Sequence, residues 1–164
     1  MLILTEGFVK IGIADRIQLG LLLAAAVGFA LTFWQVRSNA RTQRGSFLKD
    51  LYLTSVTDEV ICEAYYLIEY NKFTYDSNFH GSVTEPKIDR LLSFADLVCE
   101  LYLQGIIKRR EMEFFKYRFL RLAKDPNIQA YLEFLTGFYK QVGTKKRPFH
   151  SFVSYGMSHG HVEL

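Results

Sequence analysis

The stretch that decides the architecture is Ile17–Val36, IQLGLLLAAAVGFALTFWQV, which contains 20 residues and no ionisable side chain. Asp15 and Arg16 precede it, and Arg37 follows it. A helix of this length is about 30 Å long, which matches the hydrocarbon core of a lipid bilayer. The stretch therefore predicts one transmembrane helix over residues 17–36.

Two other interpretations of this stretch compete with a membrane span. A buried core helix that is apolar on every face needs a large protein around it, and this chain has only 164 residues. A cleaved signal peptide has an apolar region of about 7 to 15 residues, which is shorter than this stretch. The segment Ser38-Asn39-Ala40 also resembles a cleavage site only loosely. The length of the stretch thus favours the membrane span.

Basic residues are unevenly distributed around the span. Two precede it, and four follow it: Arg37, Arg41, Arg44 and Lys49. The positive-inside rule then predicts a single-pass membrane protein with its C-terminal part in the cytoplasm. The three arginines are spaced four and three residues apart and share one helix face. They either contact anionic lipid headgroups or form a solvated stop-transfer flank.

Small side chains recur at every fourth position of the span. They are Gly20, Ala24, Gly28 and Thr32. Helices in a bilayer associate mainly by close packing, which such a small-residue ridge permits. The ridge predicts a homo-oligomer, although Ala-rich spans also contain such patterns by chance.

The remaining sequence predicts helices throughout, so the expected fold class is all-α. With 49% apolar and 23% charged residues, the composition excludes a low-complexity disordered chain. The predicted organisation is an interfacial segment at 1–16, the transmembrane helix at 17–36, a helical cytoplasmic domain at 37–143 and a tail at 144–164. The membrane helix is expected to continue to about Val56 and to be followed by a bundle of about four helices.

Capping residues and glycines place the ends of these helices. Thr57 is expected to cap the second helix, and Ser82-Val83-Thr84-Glu85 fits a capping box for the third. Asp125-Pro126 is expected to begin the fifth helix, whose Phe138 is predicted to face inward. Gly105 and Gly143 are natural helix stops.

Charge is segregated along the predicted domain. Residues 58–100 contain nine acidic and three basic residues, a net charge of −6, whereas residues 108–147 contain eleven basic and four acidic residues, a net charge of +7. The two halves can pair within one bundle or between copies in a head-to-tail contact. A third interpretation is RNA binding at the basic patch Lys108-Arg109-Arg110. The patch is followed by the aromatic residues Phe114, Phe115, Tyr117 and Phe119. Aromatic residues at this spacing more often form a core.

A search for catalytic chemistry finds no phosphate-binding glycine loop, no His-Glu-x-x-His pair and no Cys-x-x-Cys pair. His159 and His161 lack a nearby carboxylate or cysteine to complete a metal site. A helical ribonuclease would carry an arginine and then a histidine four to six residues later, and this chain offers only the tighter Arg147-Pro148-Phe149-His150. The sequence predicts no enzyme, metal, cofactor or small-molecule substrate.

One segment resembles a known group of proteins. The residues that carry the resemblance are Phe73-Thr-Tyr-Asp-Ser-Asn-Phe-His-Gly-Ser82, Glu85 and Ile88-Asp89-Arg90-Leu91-Leu92-Ser93-Phe94. They resemble a family of bacterial proteins with one N-terminal membrane helix and a small helical cytoplasmic domain, similar to membrane effectors of phage-defence systems. A more distant resemblance is to the membrane-pore accessory protein of type VI CRISPR systems.

The resemblance implies an oligomeric inner-membrane effector or pore-forming protein of bacterial antiviral defence, with membrane lipids and a defence-system protein or an RNA-guided complex as partners. It also singles out His80, Ser82, Asp89 and Arg90 as a candidate interaction loop. Because this loop precedes a helix N-terminus, its exposed amides could bind an anion or a carboxylate. Ser82 could equally be only a helix cap. The alternative functions are a membrane-tethered adaptor and, third, a helical ribonuclease.

Overall fold

The computed structural model describes residues 13–144 and 146–159. Within these ranges the chain forms six helices and no strand, which confirms the all-α class. The helices are α1 Ile13–Thr57, α2 Glu59–Glu69, α3 Glu85–Leu103, α4 Arg109–Lys124, α5 Pro126–Gln141 and α6 His150–Ser158.

The chain divides into two compact units, Met1–Phe47 and Leu48–Leu164. In the first unit, α1 begins at Ile13. Residues 13–16 of the segment predicted to be interfacial are therefore helical. Residues 1–12 lie outside the described part of the chain. Every side chain of Ile17–Val36 is exposed. The segment Ile17–Thr57 of α1 is long and apolar enough to cross a membrane. Its end at Thr57 agrees with the expected continuation to about Val56.

The second unit is built around one apolar core to which α2–α6 all contribute. Helix α3 lies at its centre and packs chiefly against α2 and α6. The largest fully buried side chains include Ile68, Ile88, Leu92, Phe119, Leu122, Tyr131, Leu132 and Phe152. Because every one of these helices is apolar on only one side, none of them could bury that side alone.

Helix α6 differs from the prediction, since residues 144–164 were expected to form a tail. Phe152 is fully buried in the core. The carboxylate of Asp96 on α3 accepts hydrogen bonds from the backbone N–H groups of Ser151 (2.8 Å) and Phe152 (2.9 Å). The hydroxyl of Ser151 also donates to Glu100. These contacts satisfy the first amides of α6 from a helix that is distant in the sequence. With α6, the bundle after α1 contains five helices rather than about four.

Local capping places the other helix ends, with two corrections. Asp58, not Thr57, caps α2, because its carboxylate accepts the N–H of Ile61 at 3.1 Å. Phe138 of α5 is 52% exposed and does not face inward. The cap Asp125 is confirmed, since its side chain accepts the N–H groups of Asn127 (3.0 Å) and Ile128 (3.2 Å).

Candidate functional site

The predicted oligomerisation ridge lies exposed along one face of α1, at Gly20, Ala24, Gly28 and Thr32. A Cβ atom added at Gly20 or Gly28 would meet no other atom within 4 Å. The hydroxyl of Thr32 donates to the carbonyl of Gly28 at 2.8 Å, so its polar group is satisfied within the helix. The ridge therefore offers a close-packing surface rather than an interhelical hydrogen bond.

The three arginines that follow the span continue along α1. Arg37 and Arg41 are exposed, and Arg44 is partly buried. At 1.5 Å per residue, Arg44 lies about 12 Å along the helix axis beyond Val36. That distance is comparable to the depth of a lipid headgroup layer, so contact with anionic headgroups remains a prediction for all three.

The predicted interaction loop centres on His80. Its Nδ1 lies 2.9 Å from the Glu85 carboxylate, and its Nε2 lies 3.0 Å from the hydroxyl of Tyr75. Because an ionised carboxylate only accepts hydrogen bonds, the Nδ1 of His80 is the donor to Glu85. The N–H of Gly81 also donates to Glu85 at 2.6 Å. This amide and then His80 lower the pKa of Glu85 below its ordinary value.

Asp89 belongs to the same aromatic cluster as His80. Its carboxylate accepts the hydroxyl of Tyr131 at 2.7 Å, and the ring of Tyr131 lies 6.0 Å from the ring of His80. Burial raises the pKa of Asp89, and the Tyr131 hydrogen bond opposes that rise. Arg90 points elsewhere and pairs with Asp58 at 2.6 Å. The structure thus brings His80 and Asp89 together but separates them from Arg90.

The N-cap of α3 is Thr84 rather than Ser82, so the capping-box prediction is only half right. The hydroxyl of Ser82 still accepts the N–H groups of Thr84 (3.2 Å) and Glu85 (3.4 Å). The carboxylate of Glu85 returns to Gly81 rather than to Ser82. The polar groups of this loop therefore satisfy one another, which makes the loop a well-defined surface element.

The basic patch Lys108-Arg109-Arg110 is exposed at the start of α4. The aromatic side chains that follow it divide into two pairs. Phe115 and Phe119 are buried in the core, whereas Phe114 and Tyr117 are 70% and 66% exposed. Beside the patch, the rings of Phe114 and Tyr52 pack edge to face, with their centroids 6.1 Å apart. Together they border a groove of about 360 Å³ lined by Leu48, Lys49, Tyr52, Glu111, Phe114 and Phe115.

A second concave surface lies along α2 and was not among the predicted sites. This α2 concavity has a volume of about 610 Å³ and is lined by Glu59, Cys62, Glu63, Tyr66, Leu67, Tyr70, Lys72 and Lys87. Tyr66 and Tyr70 stack with their ring centroids 5.7 Å apart. The signal in the sequence is the spacing of Glu59, Glu63, Tyr66 and Tyr70, which places acidic and aromatic side chains on one helix face.

The acidic and basic halves of the domain meet at an ion pair between Arg121 and Glu69, whose side chains lie 3.8 Å apart. Glu69 also accepts the hydroxyl of Tyr117 at 2.7 Å. That hydrogen bond is the main cause of the lowered pKa of Glu69. The basic patch takes no part in this contact and stays exposed on the surface.

Arg147 and His150 line one shallow pocket of about 360 Å³ with Lys146. His159 bonds through Nδ1 to the backbone carbonyl of Tyr155 at 2.9 Å, and His161 lies outside the described residues. Across residues 13–144 and 146–159, no three histidine, cysteine or acidic side chains come together as a metal site.

Comparisons with protein-family models, curated proteins and solved structures find no match to this chain. The resemblance of residues 73–94 to phage-defence membrane proteins therefore stays a prediction.

Proposed function

We propose that this protein is a single-span inner-membrane protein that works as a homo-oligomeric effector, with its helical domain in the cytoplasm. The observation that carries the proposal is the exposure of every side chain of Ile17–Val36. A core helix of a water-soluble protein would bury its apolar face, whereas a membrane-spanning helix presents that face to lipid. The role in antiviral defence rests on the sequence resemblance alone.

Orientation follows from charge. Four basic residues follow the span and two precede it, which favours a cytoplasmic location for the part after Val36. The partners of the full chain in this proposal are lipids, further copies of itself and a defence-system protein or RNA-guided complex that signals infection.

Self-association is the step that an effector of the membrane needs, since one helix cannot enclose a path through a bilayer. The small-residue ridge supports it, because a parallel copy can approach closely along Gly20 and Gly28. Since an added Cβ at these glycines meets nothing within the chain, a larger side chain there tests association without disturbing the helix itself.

The test is the mass of the full chain in detergent and in lipid nanodiscs, measured by light scattering. We expect a multiple of the 19.0 kDa protomer. Gly28→Leu should reduce that mass, and the matched control Ala26→Leu, on the opposite side of the helix, should not. A strict monomer under every condition would rule out the oligomeric effector.

A membrane-tethered adaptor is the second candidate, favoured by the apolar groove beside Tyr52 and Phe114. The two functions differ in what they require of the span. Replacing residues 17–36 with an unrelated monomeric transmembrane helix should leave an adaptor active and abolish an oligomeric effector. The readout is the number of plaques that phage form on cells carrying each version.

A further inference from the structure

The outer face of α5 carries apolar side chains that the core does not use. Phe134 and Phe138 are 46% and 52% exposed, and Val142, at the C-cap of the helix, is 66% exposed. These three residues follow one another at intervals of four, so they share one side of the helix. Ala130 and Gly137 lie beside them and are also exposed. An apolar stripe of this kind is typical of a contact surface.

The spacing on this face matches the seam of a helix pair. Intervals of four, three and four residues separate Ala130, Phe134, Gly137 and Gln141, and side chains at these intervals meet a second helix along its length. In an antiparallel pair of α5 helices, Phe134 of each copy can face Gly137 of the other. A Cβ atom added at Gly137 would meet no other atom within 4 Å, so a large ring has room there.

The charges of α5 favour the same partner. Its acidic and basic side chains are Glu133 and Lys140. Both are exposed, and neither has an ion-pair partner among the described residues. They lie seven residues, or about 10.5 Å, apart along the helix axis. In the antiparallel register that puts Phe134 on Gly137, the flanking Glu133 of each copy lies beside Lys140 of the other, which forms two identical ion pairs.

We infer that two copies of the chain pair through antiparallel α5 helices, with Phe134 of each copy against Gly137 of the other and Glu133 against Lys140. The inference rests on the homo-oligomer of the proposed function and identifies one contact within it. A second copy is the occupant because one helix face supplies the ring, the recess for the ring and both charges. The contact is therefore isologous and closes with two copies.

The membrane supports this contact in two ways. A two-fold axis along the membrane normal keeps both spans in the same direction, so two copies in one bilayer can pair. The contact is a single pair of 16-residue helices, which is small beside the interfaces of stable soluble dimers. It therefore depends on the bilayer to hold the copies at a high effective concentration. In dilute detergent micelles we expect the contact to open, so substitutions on this face change association in the membrane rather than the free energy of unfolding.

Paired cysteines test the register in membranes from cells that coexpress two differently tagged full-length chains. One chain carries Ala130→Cys and the other Gln141→Cys, because positions 130 and 141 face each other in this register. Two copies of position 130 lie 11 residues, or about 16 Å, apart along the axis, and so do two copies of position 141. A disulfide needs Cα atoms within about 7 Å of each other. Mild oxidation should therefore cross-link the mixture and neither variant alone.

The single variants are also the control for the native thiols. Cys99 is buried and Cys62 is partly buried, and each single variant retains both. Any cross-link through a native cysteine therefore appears in the single variants, and the native cysteines do not have to be replaced.

Charge reversal in both chains of the cysteine pair tests the ion pairs. Glu133→Arg places a guanidinium against Lys140 and should lose the cross-link. Adding Lys140→Glu to the same chains restores opposite charges across the contact and should restore the cross-link. This rescue excludes misfolding as the cause of the loss. Lys124→Glu, which reverses an exposed charge at the end of α4, is the matched control and should keep the cross-link.

The outcomes separate this contact from the proposed function. A mixture that cross-links no more than the single variants, as random collision or a parallel pair would give, overturns the contact. A cross-link that survives Glu133→Arg, or that Lys140→Glu does not restore, overturns it as well. In each of these cases, an oligomeric mass of the wild-type chain in nanodiscs leaves the proposed function standing. A monomeric wild-type chain in nanodiscs overturns both.

Discussion

The two units of the chain place the same residue types in opposite surroundings. Leu22 and Phe29 in the first unit are 62% and 77% exposed, whereas Leu122 and Phe152 in the second unit are fully buried. Burying one such side chain is worth roughly 1.5–3 kcal/mol. Eleven large apolar side chains of residues 17–36 are exposed, so leaving them in water would cost roughly 15–30 kcal/mol, more than the whole stability of a typical domain.

The comparison teaches that the two units need different surroundings. In the proposed membrane protein, lipid would surround the apolar side chains of the first unit, so that unit would need no core of its own. The second unit must build its own core from helices that are each apolar on one side. The predictions below test this division, in order of decreasing effect.

The largest effect is expected where α6 enters the core. Phe152→Ala should lower the free energy of unfolding of the domain by about 4 kcal/mol, because it deletes a fully buried ring. Phe138→Ala is the matched control, since that ring is 52% exposed and should cost less than 0.5 kcal/mol, on the order of a typical surface change. Denaturant unfolding of the full chain in detergent, followed by circular dichroism, measures both. Equal losses would mean that α6 is not part of the core.

One substitution made in both units tests the division directly. Leu122→Ala should destabilise the domain by about 3 kcal/mol, because it opens a cavity in the core. Leu22→Ala should leave the unfolding of the domain unchanged, since Leu22 lies in the first unit and is exposed. The same unfolding assay applies. A comparable loss in Leu22→Ala would show that the domain depends on packing by the span.

A smaller effect is expected at the buried cap of α5. Asp125 is 3% exposed, accepts two backbone N–H groups and lies 3.4 Å from Arg121. Asp125→Ala should cost about 2 kcal/mol, because the amides and the guanidinium lose their acceptor. Glu133→Ala, an exposed acidic residue on the same helix, is the control. An unchanged midpoint of unfolding in Asp125→Ala would contradict the capping role.

The smallest effect is expected when the domain is acidified. The pKa of Glu69 is lowered chiefly by the Tyr117 hydroxyl and that of Glu85 chiefly by the Gly81 amide. A lowered folded-state pKa gives stability that is complete above the unfolded value of about 4.3 and is lost as the pH falls through the folded value. The melting temperature of the domain should therefore fall between about pH 5 and pH 3.

Two variants sharpen the acid prediction. Glu69→Gln should make the melting temperature less sensitive to acid, because it removes one of the titrating groups. Asp89 has the opposite effect on stability. Its pKa is raised in the folded domain, so its ionised form destabilises the fold. Protonation of Asp89 on acidification therefore partly offsets the decrease in melting temperature. Asp89→Asn keeps an acceptor for Tyr131 and should make the melting temperature decrease more steeply on acidification. A melting temperature that rises on acidification would contradict these assignments.

Much of the fold could be predicted because its signals are local. The length of the apolar stretch predicts α1, and Asp125-Pro126 predicts the start of α5. Gly105 and Gly143 adopt positive φ values of 73° and 81° directly after helix ends, as a glycine stop requires. In each of these cases the deciding residues lie within one or two turns of the feature that they specify.

The missed features depend on distant residues. Helix α6 receives its cap from Asp96, 55 residues earlier than Ser151, so the sequence of α6 alone has no start signal. Arg90 was grouped with its neighbour Asp89, but it pairs with Asp58 across 32 residues. The α2 concavity appears only when α2 and Lys87 of α3 pack together. Tertiary packing, rather than local pattern, decided all three.

The most direct test of the central claim is the topology of the span in intact cells. Single cysteines would be placed at Thr5, before the span, and at Gly45, after it, in a chain whose Cys62 and Cys99 are replaced by serine. A membrane-impermeant maleimide should label position 5 in intact spheroplasts and label position 45 only after the membrane is opened. Equal labelling of both positions in intact spheroplasts, or recovery of the chain in the water-soluble fraction, would contradict a span over residues 17–36.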